Sequence, residues 1–234
     1  MPPNSTRSTA TRQDAWMDGA RITVVNVVFE ILPDPYGEFS TTAIDKRPVG
    51  GRVDVDPLGV AGDTQCDTRN HGGRDQAAYA YADEDAAWWA EHLGRDVPPG
   101  LFGENLRTSD LDVTGAEIGE RWRIGDGPAP LVVEVTMPRI PCQTFAHRMG
   151  EQHWVKRFTE HGAPGAYLRV ITPGSVAAGD PVVVHRRPGH GVTIGDSFLR
   201  TDPATMRRLL EAAGAGSFEI ASKLRKRAAK IAAG

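Results

Sequence analysis

Apolar residues first gather at Ile22, Val24, Val25, Val27, Val28 and Phe29, a β-branched run that predicts a buried strand and the start of the ordered domain. Further short apolar runs, at residues 51–55, 77–81, 118–124, 131–136, 166–171 and 181–185, recur between Gly and Pro punctuation. Many short strands separated by turn residues predict a barrel or sandwich rather than a parallel βαβ sheet. Two helices are expected among them. One runs from a cap at Asp83 through Ala86, Ala87, Trp88, Trp89 and Leu93 to a stop at Gly94; the other runs from about Glu151 through Trp154, Val155 and Phe158 to Gly162. Their tryptophans read as core packing. Beyond residue 190 the apolar period lengthens to that of helices. A short helix opens over Asp196 to Leu199, Asp202 and Pro203 cap a second with Met206, Leu209 and Leu210, and Ser217 precedes a third with Ala221, Leu224, Ala228 and Ile231 on one face.

The pattern divides the chain into a tail over residues 1–20, a β-barrel domain over 21–190 and a three-helix domain over 191–234, placed outside the barrel. The tail is rich in Ser, Thr and Arg with almost nothing aliphatic to bury, the composition of a disordered segment. The fold class is mainly β with α, an α+β chain built on a closed barrel.

Composition narrows the function classes. A chain of 234 residues is long enough for a full core. Its two cysteines, Cys66 and Cys142, are too few for a disulfide framework and fit a reducing compartment, so the cytoplasm is the default location. No apolar run approaches the roughly 20 residues that cross a bilayer. A net charge of -3 gives no global case for a nucleic-acid partner. The basic residues Lys223, Arg225, Lys226, Arg227 and Lys230 fall mostly opposite the apolar stripe of their helix and read as a solvated face.

Three segments carry candidate chemistry. Cys142 follows a strand-like run and sits among Pro138, Pro141 and Arg139. The prolines stiffen the loop, and the arginine favours thiolate, the form that ligates metals and attacks electrophiles. By its local setting the thiol serves equally well as a small buried hydrophobe. Residues 62–74 combine adjacent glycines, Gly72 and Gly73, with Arg69, His71 and Arg74, a pattern that fits either an anion cradle or a tight turn. Asp63, Asp67 and His71 there are also weighed as ligands of a zinc or iron ion. In the turn over residues 100–106, Glu104 and Asn105 either face a ligand or satisfy their own backbone.

Taken in order, Lys46-Arg47-Pro48-Val49, the Gly62 to Asp67 segment running into His71-Gly72-Gly73, then Phe102-Gly103-Glu104-Asn105-Leu106, Ile118-Gly119-Glu120 and Pro138-Arg139-Ile140-Pro141-Cys142 resemble the MOSC family, named for the C-terminal domain of molybdenum cofactor sulfurases. The helical end further resembles the bacterial YiiM type, a MOSC β-barrel followed by three helices. The resemblance implies a molybdenum cofactor (molybdopterin), with Cys142 as the molybdenum ligand and catalytic position. It implies cofactor-binding roles for Lys46, Arg47, His71, Gly72, Gly73, Asn105 and Arg139, and the family also carries an association with pyridoxal phosphate. Cys66 departs from the pattern, where relatives usually have a small residue. The implied reaction is reductive removal of oxygen from N-hydroxylated bases or amidoximes, with electrons from a separate reductase, since the chain shows neither an iron–sulfur cysteine cluster nor a dinucleotide fingerprint. The alternatives are a sulfur or cofactor carrier using a Cys142 persulfide, or a non-catalytic binding module.

Overall fold

The computed structural model describes residues 19–36, 40–66, 72–199 and 202–234, so the expected tail lies outside the described residues up to residue 18. Eleven strands and six α-helices occur within them. The β-branched run near residue 22 forms β1 (Arg21–Pro33), long enough to take two partners on successive halves. Its first half pairs with β6 (Leu106–Ser109) and its second with β2 (Thr41–Pro48), with register shifts at Val28/Glu30 and Glu30/Leu32 that bend the strand.

These strands belong to an eight-stranded sheet completed by β5 (Ala78–Ala82), β7 (Arg121–Ile124), β8 (Leu131–Pro138), β9 (Ala166–Thr172) and β11 (Val182–Arg186), in the order β11-β7-β8-β9-β5-β6-β1-β2. All neighbours are antiparallel except β5 and β6, which run parallel with α1 (Asp83–Leu93) as their crossover. The expectation of one barrel needs revising in detail. Three short strands, β3 (Val53–Asp56), β4 (Gly59–Val60) and β10 (Gly174–Val176), form a separate sheet. The large sheet ends in β11 and β2; Ile22 N donates to Asp180 O at 2.9 Å and Val182 N to Ala20 O at 2.8 Å, which brings the lead into β11 against the start of β1.

The helix expected from a cap at Asp83 is α1, in which Asp83 is the first helical residue and Ala82, with no side-chain cap bond, takes the cap position; Gly94 closes it in the left-handed region at φ 62°, where glycine pays no steric penalty. The helix expected from Glu151 is α3 (Trp154–His161), shorter at its start because His153 is left-handed at φ 56°. A third, unanticipated helix, α2 (Gln143–Met149), begins directly after Cys142. Trp89, Trp154, Phe102, Phe145 and Phe158 are fully buried together between α1, α2 and α3, each contributing about 1.5–3 kcal/mol of burial free energy. Trp88 departs from the expected core role. It is partly exposed, stacked between His92 at 3.5 Å and His161 at 3.8 Å.

The C-terminal helices are α4 (Ile194–Leu199), α5 (Pro203–Gly214), whose cap Asp202 accepts from Thr205 N, and α6 (Ser222–Ala233). Leu209, Ala213, Phe218 and Leu224 lie in the same buried cluster as Trp122 and Leu131 of the sheet. Among the described residues no helix is long and apolar enough to cross a membrane.

Candidate functional site

A pocket of about 120 Å³ opens between β2, the loop Thr64 to Cys66, the start of β5, the turn before β6, the link from β8 into α2, Tyr167 of β9 and Asp34 beyond β1. Its wall brings together Lys46, Gly72, Asn105, Arg139 and Cys142, residues from distant parts of the sequence. His71 lies outside the described residues. Arg47 is not on this wall: neighbours on a strand point to opposite faces, and its exposed guanidinium lies 3.5 Å over the Phe29 ring and 3.1 Å from Asp45. Gly73 is also off the wall, and its carbonyl accepts from Gln76 N at 2.9 Å to close the turn over residues 74–76. Gly72 has φ 89°, and a Cβ there would run into the Gln65 side chain.

One wall is an ionic network. Asp63 pairs with buried Lys46 and accepts from Asn105 Nδ2 at 2.8 Å and Val28 N at 2.9 Å. Burial holds the Lys46 ammonium below its ordinary pKa, and the Asp63 charge opposes that shift. Asn105 Oδ1 accepts from Tyr79 N at 3.1 Å and its Nδ2 also reaches Asn26 O at 3.3 Å. The Asn105 amide therefore fastens β5, β1 and Asp63 together. Glu104, its neighbour, accepts from Gly100 N at 2.6 Å, Phe102 N at 3.0 Å and Arg107 Nε at 2.5 Å, so it satisfies its own turn. Asp63 serves here as the counter-charge of Lys46; Asp67, like His71, lies outside the described residues, among which no group of three or more His, Cys, Asp or Glu is placed to hold a metal ion.

The opposite wall carries Arg139 and Cys142. The Arg139 side chain is buried, with its guanidinium 3.6 Å over the Phe145 ring and 5.5 Å from that of Tyr79. Its Nη1 is buried without a hydrogen-bond partner. An unmet cationic donor on a pocket wall is stabilised by an anionic guest. Cys142 is a half-buried free thiol at the entry to α2, where its carbonyl accepts from Ala146 N at 3.0 Å. Cys66, also free and half-buried, shares the wall.

This donor set fits a phosphorylated pterin dithiolene with a sulfur-bound metal: soft sulfur from Cys142 with Cys66 beside it, one unmet guanidinium donor and a buried ammonium. It does not fit pyridoxal phosphate. That group needs a lysine amine available to form an imine, whereas the wall's Lys46 is engaged by Asp63.

A second cavity, of about 290 Å³, lies against Cys142 and shares Cys142, Gln76 and Tyr167 with the first. Its far side is α6, through Lys223, Leu224 and Arg227. The solvated face expected for the basic residues of this helix is thus split. Lys223, Arg225, Lys226 and Lys230 are exposed and Arg227 is half-buried; of these, Lys223 and Arg227 border the cavity. Their spacing of four, flanking Leu224, places both beside the apolar stripe.

The MOSC domain family model matches residues 67–183. The chain is 33% identical over 158 residues to the uncharacterized protein YflK of Bacillus subtilis (strain 168), covering 68% of this chain and 70% of that protein. It is 30% identical over 188 residues to the protein YiiM of Escherichia coli (strain K12), covering 76% and 81% respectively. A protein of Gibberella moniliformis (strain M3125 / FGSC 7600) named "Reductase" is 31% identical over 156 residues, 63% of this chain but 26% of that protein. Among solved structures, YiiM from Geobacillus stearothermophilus superposes with a TM-score of 0.72 at 25% identity, covering 91% of this chain and 99% of its own.

Proposed function

This chain belongs to the MOSC domain family and has the YiiM-type C-terminal helices, and on that premise we propose that it is an oxidoreductase that holds a molybdenum cofactor through Cys142 and reduces N-hydroxylated bases or amidoximes. The observation that supports this reading best is the convergence of the Cys142 thiol, the unmet Arg139 donor and Lys46 on one pocket from three separate segments. An anionic, sulfur-ligated cofactor calls for that combination. When bound, the cofactor would supply a two-electron reductant that takes up the substrate's oxygen atom.

The chain's own part is binding and orientation. Arg139 would neutralise anionic charge on the cofactor from a guanidinium held in place by Phe145 and Tyr79. Lys46 adds positive potential from the other wall, and Asp63 with Asn105 fixes where that charge sits. The overall conversion takes an N–OH group, two electrons and two protons to N–H and water. The electrons come from a separate donor protein, since the chain shows neither an iron–sulfur cysteine cluster nor a dinucleotide fingerprint. We place the reaction in the cytoplasm, where thiols stay reduced.

Cys142→Ser keeps the side chain's size but replaces the soft ligand with a hydroxyl that stays protonated. With a chemical reductant and benzamidoxime, its turnover should fall at least a hundredfold at matched molybdenum content, with unchanged circular dichroism, while Cys66→Ala keeps most activity. Near-normal turnover in Cys142→Ser would return this residue to a packing role. Persulfide transfer from Cys142 without turnover would favour the carrier reading.

A further inference from the structure

Buried carboxylates in this chain are matched by cations. Asp45 meets Arg47 and Arg148, Glu104 meets Arg107, Glu120 meets Arg187, Glu134 meets Arg121 and Arg169, and Asp180 meets Arg52. Asp34 is the exception. It is 4% exposed and lines the pocket of Lys46, Arg139 and Cys142, yet no cation pairs with it among the described residues. Its side chain has two neutral partners: Tyr36 N donates to Oδ1 at 3.0 Å and the Thr144 hydroxyl donates to Oδ2 at 2.5 Å.

The first bond closes a turn just past β1, and the second ties the carboxylate to α2, two residues beyond Cys142. A carboxylate offers about four acceptor positions, so each oxygen keeps one free. A buried charge with neutral partners alone is costly. The same wall carries the opposite mismatch, Arg139 Nη1 without an acceptor, and the two side chains do not pair with each other. The pocket therefore lacks an anion for Arg139 and, separately, donors for Asp34. With both oxygens open, the group that satisfies Asp34 best presents two N–H donors side by side.

Resting on the reading above, we propose that Asp34 is the recognition residue for a planar N–C–N donor edge, accepted by its two carboxylate oxygens. Two guests in that reading have such an edge: the 2-aminopyrimidinone ring of the cofactor's pterin, and the amidine formed from an amidoxime. Either leaves Arg139 to the anionic part of the cofactor.

The test reads binding in matched pairs that differ in this edge. Cofactor-free protein is titrated by calorimetry with pterin-6-carboxylate and with lumazine-6-carboxylate, in which an oxygen replaces the 2-amino group, and molybdenum-loaded protein with benzamidine and with benzamide. In at least one pair the donor-edged member should bind on the order of tenfold more tightly, and Asp34→Asn should bring that ratio near one. A ratio in the first pair assigns the edge to the cofactor, and one in the second assigns it to the amidine. Asp34→Asn should also unfold in urea at or above the wild-type midpoint, because no cation loses its partner. Asp45→Asn, which deprives Arg47 and Arg148, should unfold earlier. Ratios near one in both wild-type pairs, or ratios that survive Asp34→Asn, overturn the proposal. A midpoint for Asp34→Asn that falls as far as that of Asp45→Asn also overturns it, by assigning Asp34 to its turn. Neither titration uses turnover. Amidoxime reduction without a ratio in either pair sinks the role of Asp34 alone, and a ratio that Asp34→Asn abolishes, without amidoxime reduction by the wild type, sinks the reductase reading alone.

Discussion

Asp63 is the residue on which most of the candidate pocket leans. Its carboxylate is the counter-charge of buried Lys46 and an acceptor for Asn105 and Val28, so it fixes three of the pocket's segments at once. Removing one partner of a buried pair leaves the other charge without compensation, at a cost of about 3–5 kcal/mol. Asp63→Asn is therefore expected to lower unfolding free energy by that amount in urea melts. Combining it with Lys46→Met should recover more than half the loss; a loss under about 1 kcal/mol would show that the pair does not hold the wall. Prolines and a cation beside a thiol made Arg139 and Cys142 stand out locally, but that signal suits a small buried hydrophobe equally well, and only the ordered set of segments singled them out. Asp63 was readable only as a metal ligand, since its real partners lie 17 and 42 residues away.

At the scale of elements, α1 carries Asp85 in its first turn, where helix geometry ordinarily favours a carboxylate. Here burial raises its pKa to about 6, with Asp112 and Glu84 adding like charge. The folded state therefore holds more protons than the unfolded chain between about pH 4 and 6, and stability falls as pH rises through that window. Asp85→Asn should be stabilising by about 1–3 kcal/mol above pH 6 and nearly neutral below pH 4, checked by denaturant melts at both ends. An equal gain at both pH values would assign it to packing. The stop of α1 was readable from Gly94, while Asp83, read as its cap, is its first helical residue after Ala82. The polar sequence of β2, Thr41–Pro48, hid the strand that carries Lys46, and α2 was hidden by its seven-residue length directly after Pro141 and Cys142.

Across the whole molecule, the C-terminal helices could be read from their stripes and caps, but not where they dock. Docking depends on pairs such as Gln76 with Lys223, which no local period encodes. The fastening is centred on Arg169 of β9, fully buried, whose guanidinium meets Asp75 at 2.5 Å, Glu219 at 3.1 Å and Glu134 of β8 at 3.4 Å. Asp75 also accepts from Ser222 N, the first residue of α6, at 3.3 Å. Glu219 and Ser222 thus tie the lead into α6 to the sheet beside the cavity that Lys223 and Arg227 border. Arg169→Leu would leave Glu134 and Asp75 short of their buried partner, at a cost of about 3–5 kcal/mol. Glu219→Gln touches the same cation from an exposed position and should cost under about 1 kcal/mol. The expected consequence of Arg169→Leu is local as well as global: amide exchange over residues 219–233 should speed up more than in the centre of β8, because α6 loses its tie while the strand keeps its ladder. Uniform acceleration across both segments would show that Arg169 supports the sheet as a whole and does not specifically hold α6 over Cys142.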